Sequence, residues 1–152
     1  MATVHIGIGS NLGNRQENCE KAIALIILKG VTVTWMSSMI ETEPWGVTDQ
    51  QKFINAAVEA QTDLEPEGLL AVLKKIESDM ERLPSVKWGP RLVDLDVLFY
   101  DDLVMKTDDI EIPHPYIQER DFVLRPLAEI APEKMHPVLK KTVKEMLEEL
   151  QK

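Results

Sequence analysis

The segment 88–100 constrains the fold more than any other part of the chain, because it predicts a turn that leads directly into a buried strand. Pro90 fixes its own φ angle and biases the residue before it away from helix, and the apolar residues that follow favour extended backbone. Side chains alternate between the two faces of a strand, so Asp94 and Asp96 are expected on one face and Leu95 on the other, buried face. We therefore expect a buried strand that presents two carboxylates side by side.

The paired carboxylates indicate a site for a divalent cation. Asp94 and Asp96 repel each other when both are ionised, and a hard cation such as Mg²⁺ relieves that repulsion. Arg91, just upstream, supplies a planar guanidinium that suits a phosphate group. Leu98 and Tyr100 are expected to continue the face of the aspartates, which indicates a pocket at the end of a buried strand. The alternative is an ordinary Asp-x-Asp pair on a solvated strand edge.

Composition bounds the class of protein. The chain has 152 residues, of which 44% are hydrophobic and 28% charged, and we expect one folded domain over residues 1–152. The formal net charge of −9 argues against a general nucleic-acid surface, which needs a basic footprint. No apolar run is long enough for a membrane span and no secretory leader pattern is evident, so a cytoplasmic protein is expected. Cys19 is the only cysteine, and we interpret it as structural.

Hydrophobic periodicity predicts the order of the elements. Strands are expected at 4–9, 31–42, 53–62 and 94–100, and helices from about 14 to 29 and from 66 to about 83. Asn14 should cap the first helix, and Ile23, Ile26 and Ile27 should point inward. A short edge strand at 103–105, a helix at 122–130 and a last helix opened by a capping box at 142–145 are expected to follow. The order βαββαβ is typical of a ferredoxin-like α+β sandwich, a mainly antiparallel sheet with helices packed on it, here with C-terminal additions.

Several short motifs, each weak alone, occur together in a specific order. They are Gly9-Ser10-Asn11-Leu12-Gly13, Glu41-Thr42-Glu43-Pro44-Trp45-Gly46, Phe53-Ile54-Asn55-Ala56-Ala57-Val58, Trp88-Gly89-Pro90-Arg91, Asp94-Leu95-Asp96, Ile112-Pro113-His114-Pro115 and Arg120-Asp121-Phe122-Val123-Leu124. In this order and spacing the chain resembles the 6-hydroxymethyl-7,8-dihydropterin pyrophosphokinases of folate biosynthesis over nearly its whole length. The family has the ferredoxin-like fold that the periodicity predicts.

The resemblance implies a reaction. Members of the family transfer diphosphate from ATP to the hydroxymethyl group of the dihydropterin and release AMP, and the substrate oxygen attacks the β-phosphorus directly. Such a transfer needs in-line positioning, charge neutralisation and exclusion of water. By the resemblance, Asp94 and Asp96 hold two Mg²⁺ ions that bridge the triphosphate oxygens of ATP, the co-substrate. Both substrates are small molecules, and a monomer is the default expectation.

The resemblance also implies the residues that bind ATP. They are Arg82, Arg91, His114, Tyr116 and Arg120 near the phosphates, with Glu77 as a contact of the nucleotide. Arg82 and Arg91 are expected to take part in catalysis, because a guanidinium stays charged and bonds phosphate bidentately through the transition state. Without the family, His114 is a structural histidine between prolines, Arg120 an exposed charge at a helix end, and Glu77 part of a solvated helix face.

A pterin is a flat polar ring, so its site needs aromatic faces and an amide that both donates and accepts hydrogen bonds. The residues implied to form this site are Thr42, Pro44, Trp45, Phe53, Asn55, Trp88 and Phe122. Trp88 and Phe122 are expected to sandwich the ring, Asn55 to pair with its edge, and Trp45 to pack over the pocket. Phe53 is expected to share the face of Asn55 and to line the same pocket. Without the family, Phe53 and Phe122 are ordinary core residues, whereas a buried amide must find partners.

One segment departs from the family pattern. Residues 82–87 form a shorter and less basic stretch than the loop that many relatives place over ATP. Pro84 stands where a charged residue is expected, and it predicts that closure of this loop is restricted.

Two other functions are compatible with the same residues. A non-catalytic ferredoxin-like ligand-binding module shares the strand order and needs no metal. A metal-dependent nucleotide hydrolase would use the same carboxylates to activate water and would consume ATP without a pterin. Asn55, Trp88 and Phe122 argue against the hydrolase, since hydrolysis needs no second ring pocket, but fold alone decides none of this.

Overall fold

The computed structural model describes residues 1–42, 52–81 and 92–152. Its elements, in chain order, are β1 Ala2–Ser10, α1 Arg15–Leu28, β2 Thr32–Met36, β3 Ile40–Thr42, β4 Phe53–Thr62, α2 Pro66–Glu81, β5 Asp94–Tyr100, β6 Met105–Lys106, β7 Glu111–Ile112, a 3₁₀ turn at Ile117–Glu119, α3 Asp121–Ile130 and α4 Val143–Leu150. Within these ranges no helix is both long and apolar enough to cross a membrane.

The central sheet has the strand order of the predicted fold. Strands β2, β4, β1 and β5 are neighbours in that order and every pair is antiparallel. Strand β3 pairs with β4 as well. The four long strands, taken with the two helices that connect them, form a ferredoxin-like α+β sandwich, which confirms the fold expected from the sequence.

The single strand expected at 31–42 is instead two strands, β2 and β3. Between them, Ser37 N–H donates to the carbonyl of Ala57 at 2.9 Å, while Ser37 Oγ accepts from Ala57 N–H at 2.9 Å. Ser38 is bonded through its own N–H, at 3.0 Å, to the carboxylate of Glu129. The Ser37 hydroxyl thus replaces a backbone carbonyl as the acceptor for Ala57 N–H where the backbone pairing with β4 is interrupted. The alternation of residue types in the sequence does not indicate such an interruption.

Helices α1 and α2 cover one face of the sheet and form the larger core with it. Asn14 caps α1 as expected, since its Oδ1 accepts from Glu17 N–H at 3.1 Å. Ile23 and Ile26 are buried, but Ile27 is 53% exposed. The expectation for Ile27 is wrong, because each residue turns a helix by about 100°, and Ile26 already points straight at the sheet.

Cys19 is also fully buried in α1. Burial raises the pKa of its thiol to about 11, which agrees with a structural role.

The 3₁₀ turn and helices α3 and α4 cover the opposite face and form a second, smaller core. The capping box that opens α4 is present: Thr142 Oγ1 accepts from Glu145 N–H at 3.1 Å, and the Glu145 carboxylate accepts from Thr142 N–H at 2.9 Å. The edge strand expected at 103–105 begins only at Met105, where β6 pairs with β7 in a separate hairpin. The preceding turn extends one residue further than expected, because Leu103 N–H bonds the carbonyl of Tyr100 at 3.0 Å.

Strand β5 carries a β-bulge at Leu98. Opposite it on β1, Ile6 pairs with Val97 and His5 with Phe99, so one residue of β5 has no counterpart. Leu98 and Phe99 therefore both belong to the smaller core. Tyr100 then packs on the side of α1 and α2, where its hydroxyl donates to the carbonyl of Leu64 at 2.6 Å. The expectation that Tyr100 shares the face of the aspartates is wrong, because the bulge reverses the alternation.

Candidate active site

A cleft of about 230 Å³ opens where β1 ends and where β4 and β5 begin, beside the first residues of α3. The predicted site residues that line it are Thr42, Phe53, Asn55, Glu77, Asp94, Asp96, Arg120 and Phe122. They come from five separate elements or their flanks, so only the folded sheet brings them together. In this cleft the described residues of several sequence motifs meet.

The floor of the cleft is bare because the middle strand, β1, presents glycines there. Gly9 lies opposite Asn55 on β4 and opposite Asp94 on β5, and Gly7 lies opposite Asp96. A Cβ added to Gly9 would stand 2.9 Å from Asn55 Nδ2, closer than such atoms approach. The sequence pattern predicts Gly9 only as the last residue of the strand over 4–9. The signal that was missed is a glycine inside a strand pattern, which often marks a close approach.

The two aspartates stand on one face of β5, as expected. Asp94 and Asp96 are exposed to the cleft, whereas Leu95 between them is buried. Among the described residues no group of three or more His, Cys, Asp or Glu side chains could hold a metal ion. Two carboxylates without further protein ligands suit Mg²⁺, which usually completes its shell with waters and substrate phosphates. The donor set therefore fits the magnesium implied by the resemblance.

Glu77 is buried beside the aspartate strand rather than solvated. Only 5% of the residue is exposed, and its Oε2 accepts a hydrogen bond from Leu95 N–H at 2.7 Å. Lys74 Nζ lies 3.5 Å from the other carboxylate oxygen. The alternative of a solvated helix face is therefore wrong. The bond to Leu95 joins residues 18 positions apart, and no local pattern in the sequence indicated it.

Asn55 is held in place by a neighbouring strand. The hydroxyl of Thr42, on β3, donates to Asn55 Oδ1 at 2.5 Å, and both residues are about nine-tenths buried. This bond orients the amide, because the Oδ1 side must face Thr42 and the Nδ2 side then faces Gly9. Phe53 and Phe122 line the same cleft, so an amide and two phenyl rings surround one space.

Arg120 lines the cleft, whereas His114 lies next to Asp96 and Tyr116 lies beside His114 and Arg120. His114 Nε2 is 4.0 Å from Asp96 Oδ1, and its Nδ1 accepts from Tyr116 N–H at 3.4 Å. Burial lowers the pKa of His114, an effect that Asp96 opposes and Arg120 reinforces. The Arg120 guanidinium is 5.2 Å from the centre of the Tyr116 ring and 5.7 Å from that of Phe122. It stands at the first residue before α3, where helix N–H groups favour an anion.

Five predicted site residues lie outside the described part of the chain. They are Arg82 and Arg91 of the phosphate site, and Pro44, Trp45 and Trp88 of the pterin site. The predicted loop 82–87 lies outside it too.

Comparison with known proteins gives consistent results. A family model described as 7,8-dihydro-6-hydroxymethylpterin-pyrophosphokinase (HPPK) matches residues 5–132. The chain is 40% identical over 145 residues to the 2-amino-4-hydroxy-6-hydroxymethyldihydropteridine pyrophosphokinase of Aquifex aeolicus, covering 95% of this chain and 90% of that protein. It is 45% identical over 127 residues to the protein of the same name from Bacillus subtilis, covering 83% of this chain and 76% of that one.

Longer proteins contain a similar region. The mitochondrial folate synthesis bifunctional protein of Arabidopsis thaliana is 47% identical over 127 residues, which are 84% of this chain but 23% of that protein. The crystal structure of Plasmodium falciparum HPPK-DHPS wild type with pteroate has a TM-score of 0.77 at 18% identity, covering 97% of this chain and 42% of that one. This structural likeness shows the fold, and the chain spans less than half of those larger proteins.

Proposed function

The chain belongs to the 7,8-dihydro-6-hydroxymethylpterin-pyrophosphokinase family, and on that basis we propose which of its residues carry the transfer of diphosphate from ATP to the pterin hydroxymethyl group. It is a pyrophosphokinase of folate biosynthesis, and ATP and the pterin are its small-molecule substrates. The observation that carries the residue assignment is that one cleft contains a carboxylate pair, an arginine, and an amide with two phenyl rings.

Asp94 and Asp96 are the proposed ligands of two Mg²⁺ ions. Their carboxylates offer only oxygen donors and stand on the exposed face of β5, which suits a hard cation shared with phosphate oxygens. When bound, Mg²⁺ neutralises charge on the triphosphate and makes the attacking hydroxyl more acidic. The role of the chain is to hold the two carboxylates at a fixed spacing before either substrate arrives.

Arg120, which lines the cleft, and His114, which lies beside Asp96, are proposed to bind the phosphates of ATP. Since burial lowers the pKa of His114, its imidazole is neutral at pH 7. Its Nδ1 accepts from Tyr116 N–H, so the hydrogen resides on Nε2, the nitrogen that faces Asp96, and this N–H can donate a hydrogen bond to a phosphate oxygen. Arg120 contributes a permanent charge. Arg82 and Arg91 are proposed as further phosphate ligands on the strength of their motif alone.

The pterin is proposed to lie against Asn55. The bond from Thr42 occupies part of Asn55 Oδ1, which leaves its second lone pair and the Nδ2 donors for the ring edge. Phe53 and Phe122 supply ring faces within the same cleft. Trp88, Pro44 and Trp45 are proposed to complete this site by the resemblance.

The decisive assay measures AMP formed from ATP and Mg²⁺, with and without 6-hydroxymethyl-7,8-dihydropterin. Wild type should form AMP only with the pterin, and Asp96→Ala should lose that activity. Asp108→Ala is the matched control, because it removes one exposed aspartate remote from the cleft. ATP consumption without the pterin would favour the hydrolase, and binding of ATP without any AMP would favour the ligand-binding module.

The remaining assignments are predictions. We propose that residues 1–152 act as one pyrophosphokinase domain. A monomeric state and a cytoplasmic location stay predictions of the sequence.

A further inference from the structure

We propose that Glu77 is a positioning residue that fixes the spacing of Asp94 and Asp96 through its hydrogen bond to Leu95. This inference rests on the proposed function of the aspartates as magnesium ligands. That Glu77 also contacts the nucleotide stays a prediction of the resemblance.

β5 lies at one edge of the described sheet. β5 is the last strand of the order β2-β4-β1-β5, so among the strands that the structure describes only β1 pairs with it in this sheet. On its outer side the backbone groups need other partners, and the Glu77 carboxylate serves the N–H of Leu95 at 2.7 Å. That N–H belongs to the peptide unit between Asp94 and Leu95. A rotation of this unit would move the aspartates on both sides of Leu95.

Glu77 is itself rigidly placed. It is 5% exposed and stands on α2 next to Ile76, which is fully buried in the main core. Lys74, one turn earlier, lies 3.5 Å from its second oxygen, which offsets the cost of burying a carboxylate. A carboxylate acceptor makes a shorter and stronger bond than a neutral one. The bond therefore transmits the fixed position of α2 to the aspartate strand.

A second set of bonds holds the beginning of the same segment. Ser10 Oγ donates to the carbonyl of Leu92 at 2.6 Å, and Asn18 Nδ2 donates to Ser10 Oγ at 3.2 Å and to the carbonyl of Leu12 at 2.8 Å. The Glu77 bond and the Ser10 bond both hold the backbone of this segment and involve neither aspartate carboxylate. Side chains that orient metal ligands in this way typically change metal affinity 10- to 100-fold when they are removed.

The test is an electron paramagnetic resonance titration of Mn²⁺, a spin-active substitute for Mg²⁺, into protein with saturating ATP and no pterin. Glu77→Leu should raise the half-saturating Mn²⁺ concentration about 10- to 100-fold. Glu77→Gln should raise it about fivefold or less, because an amide oxygen still accepts from Leu95 N–H. Glu67→Gln, which removes an exposed charge from the first turn of the same helix, should leave it unchanged.

Hydrogen exchange of the Leu95 amide supplies a readout independent of the metal. It should be slow in wild type and in Glu77→Gln, and fast in Glu77→Leu. If Glu77→Leu does not fold, wild type and Glu77→Gln still decide: a fast-exchanging Leu95 amide in wild type would overturn the proposal. So would a Gln variant that keeps the slow amide but loses Mn²⁺ binding as completely as Asp96→Ala, because the charge and not the bond would then matter.

Two results separate this inference from the proposed function. Normal Mn²⁺ binding by a folded Glu77→Leu, with pterin-dependent AMP formation in wild type, overturns the positioning role alone. Absence of AMP formation in wild type overturns the proposed function, whatever Glu77 does.

Discussion

Replacing Gly9 with alanine should displace the Asn55 amide and weaken pterin binding. The added Cβ would stand 2.9 Å from Asn55 Nδ2, and 3.8 Å and 4.0 Å from Phe53 Cδ1 and the Ile54 carbonyl. Only the amide is therefore too close. The amide cannot move freely, because Thr42 bonds its Oδ1. To make room for the methyl group, the amide must therefore move away and weaken or break the Thr42 bond.

The magnitude decides which assay is informative. Loss of the Thr42 bond costs about 0.5–1.5 kcal/mol of folding free energy, whereas Gly→Ala restricts the unfolded chain and returns about 0.4–1 kcal/mol. Stability should therefore change by less than about 1 kcal/mol. A displaced amide loses one or two hydrogen bonds to the pterin edge, about 1–3 kcal/mol, which raises the dissociation constant about 5- to 150-fold.

The assay is calorimetric titration of the pterin into protein that holds Mg²⁺ and a non-hydrolysable ATP analogue. Gly7→Ala is the matched control: Gly7 lies on the same strand and lines the same cleft, but its added Cβ would meet Leu98 Cδ2 at 3.4 Å, an ordinary contact. A Gly9→Ala protein that binds the pterin within about twofold of Gly7→Ala would show that the added methyl group does not disturb the pterin contacts of Asn55.

Two further predictions concern stability. Thr142→Ala removes the capping box of α4 and should lower the free energy of unfolding by about 1 kcal/mol in a denaturant titration; an unchanged midpoint would contradict it. Burial lowers the pKa of His5 and of His136 in the folded protein, so between the folded value and the unfolded value of about 6.5 the unfolded chain binds more protons. The stability that these histidines contribute is complete above the unfolded pKa of about 6.5, and it is lost as the pH falls from that value to the folded pKa. Calorimetry should give a lower Tm at about pH 5.5 than at about pH 7.5, with a smaller decrease in His136→Gln, and an equal decrease would rule out His136 as a cause.

Much of the fold could be predicted from the sequence because it depends on local patterns. The alternation from Phe53 to Thr62 and the cap at Asn14 are both present as expected. The structure differs from the prediction where a contact with a residue distant in the sequence determines the local backbone. The strand at 31–42 is divided by bonds from Ser37 to Ala57, and the face of Tyr100 is reversed by a bulge that is visible only against β1.

In the candidate site, too, the sequence indicates the residues but not the distant contacts that hold them. The resemblance implies a metal site at Asp94 and Asp96 and a pterin site at Asn55, and all three residues line one cleft of the described structure. The sequence did not indicate how they are held, since the partners of Asn55 and of the aspartate strand are Thr42 and Glu77, 13 and 18 residues away from the groups they bind. Those partners become neighbours only after the sheet has formed.

The bulge at Leu98 also limits how the chain can change in length. Before it, β5 sends Leu95 and Val97 into the core beneath α1 and α2; after it, the strand sends Phe99 into the other core. Deleting Leu98 would remove the bulge and leave Phe99 and Tyr100 on their present faces, whereas deleting one residue within 94–97, with the bulge kept, would turn every later side chain to the opposite face. Such a deletion would exchange Phe99 and Tyr100 between two cores of different shape. We expect natural variants to gain and lose residues in the connecting loops, and to keep the length of this strand constant.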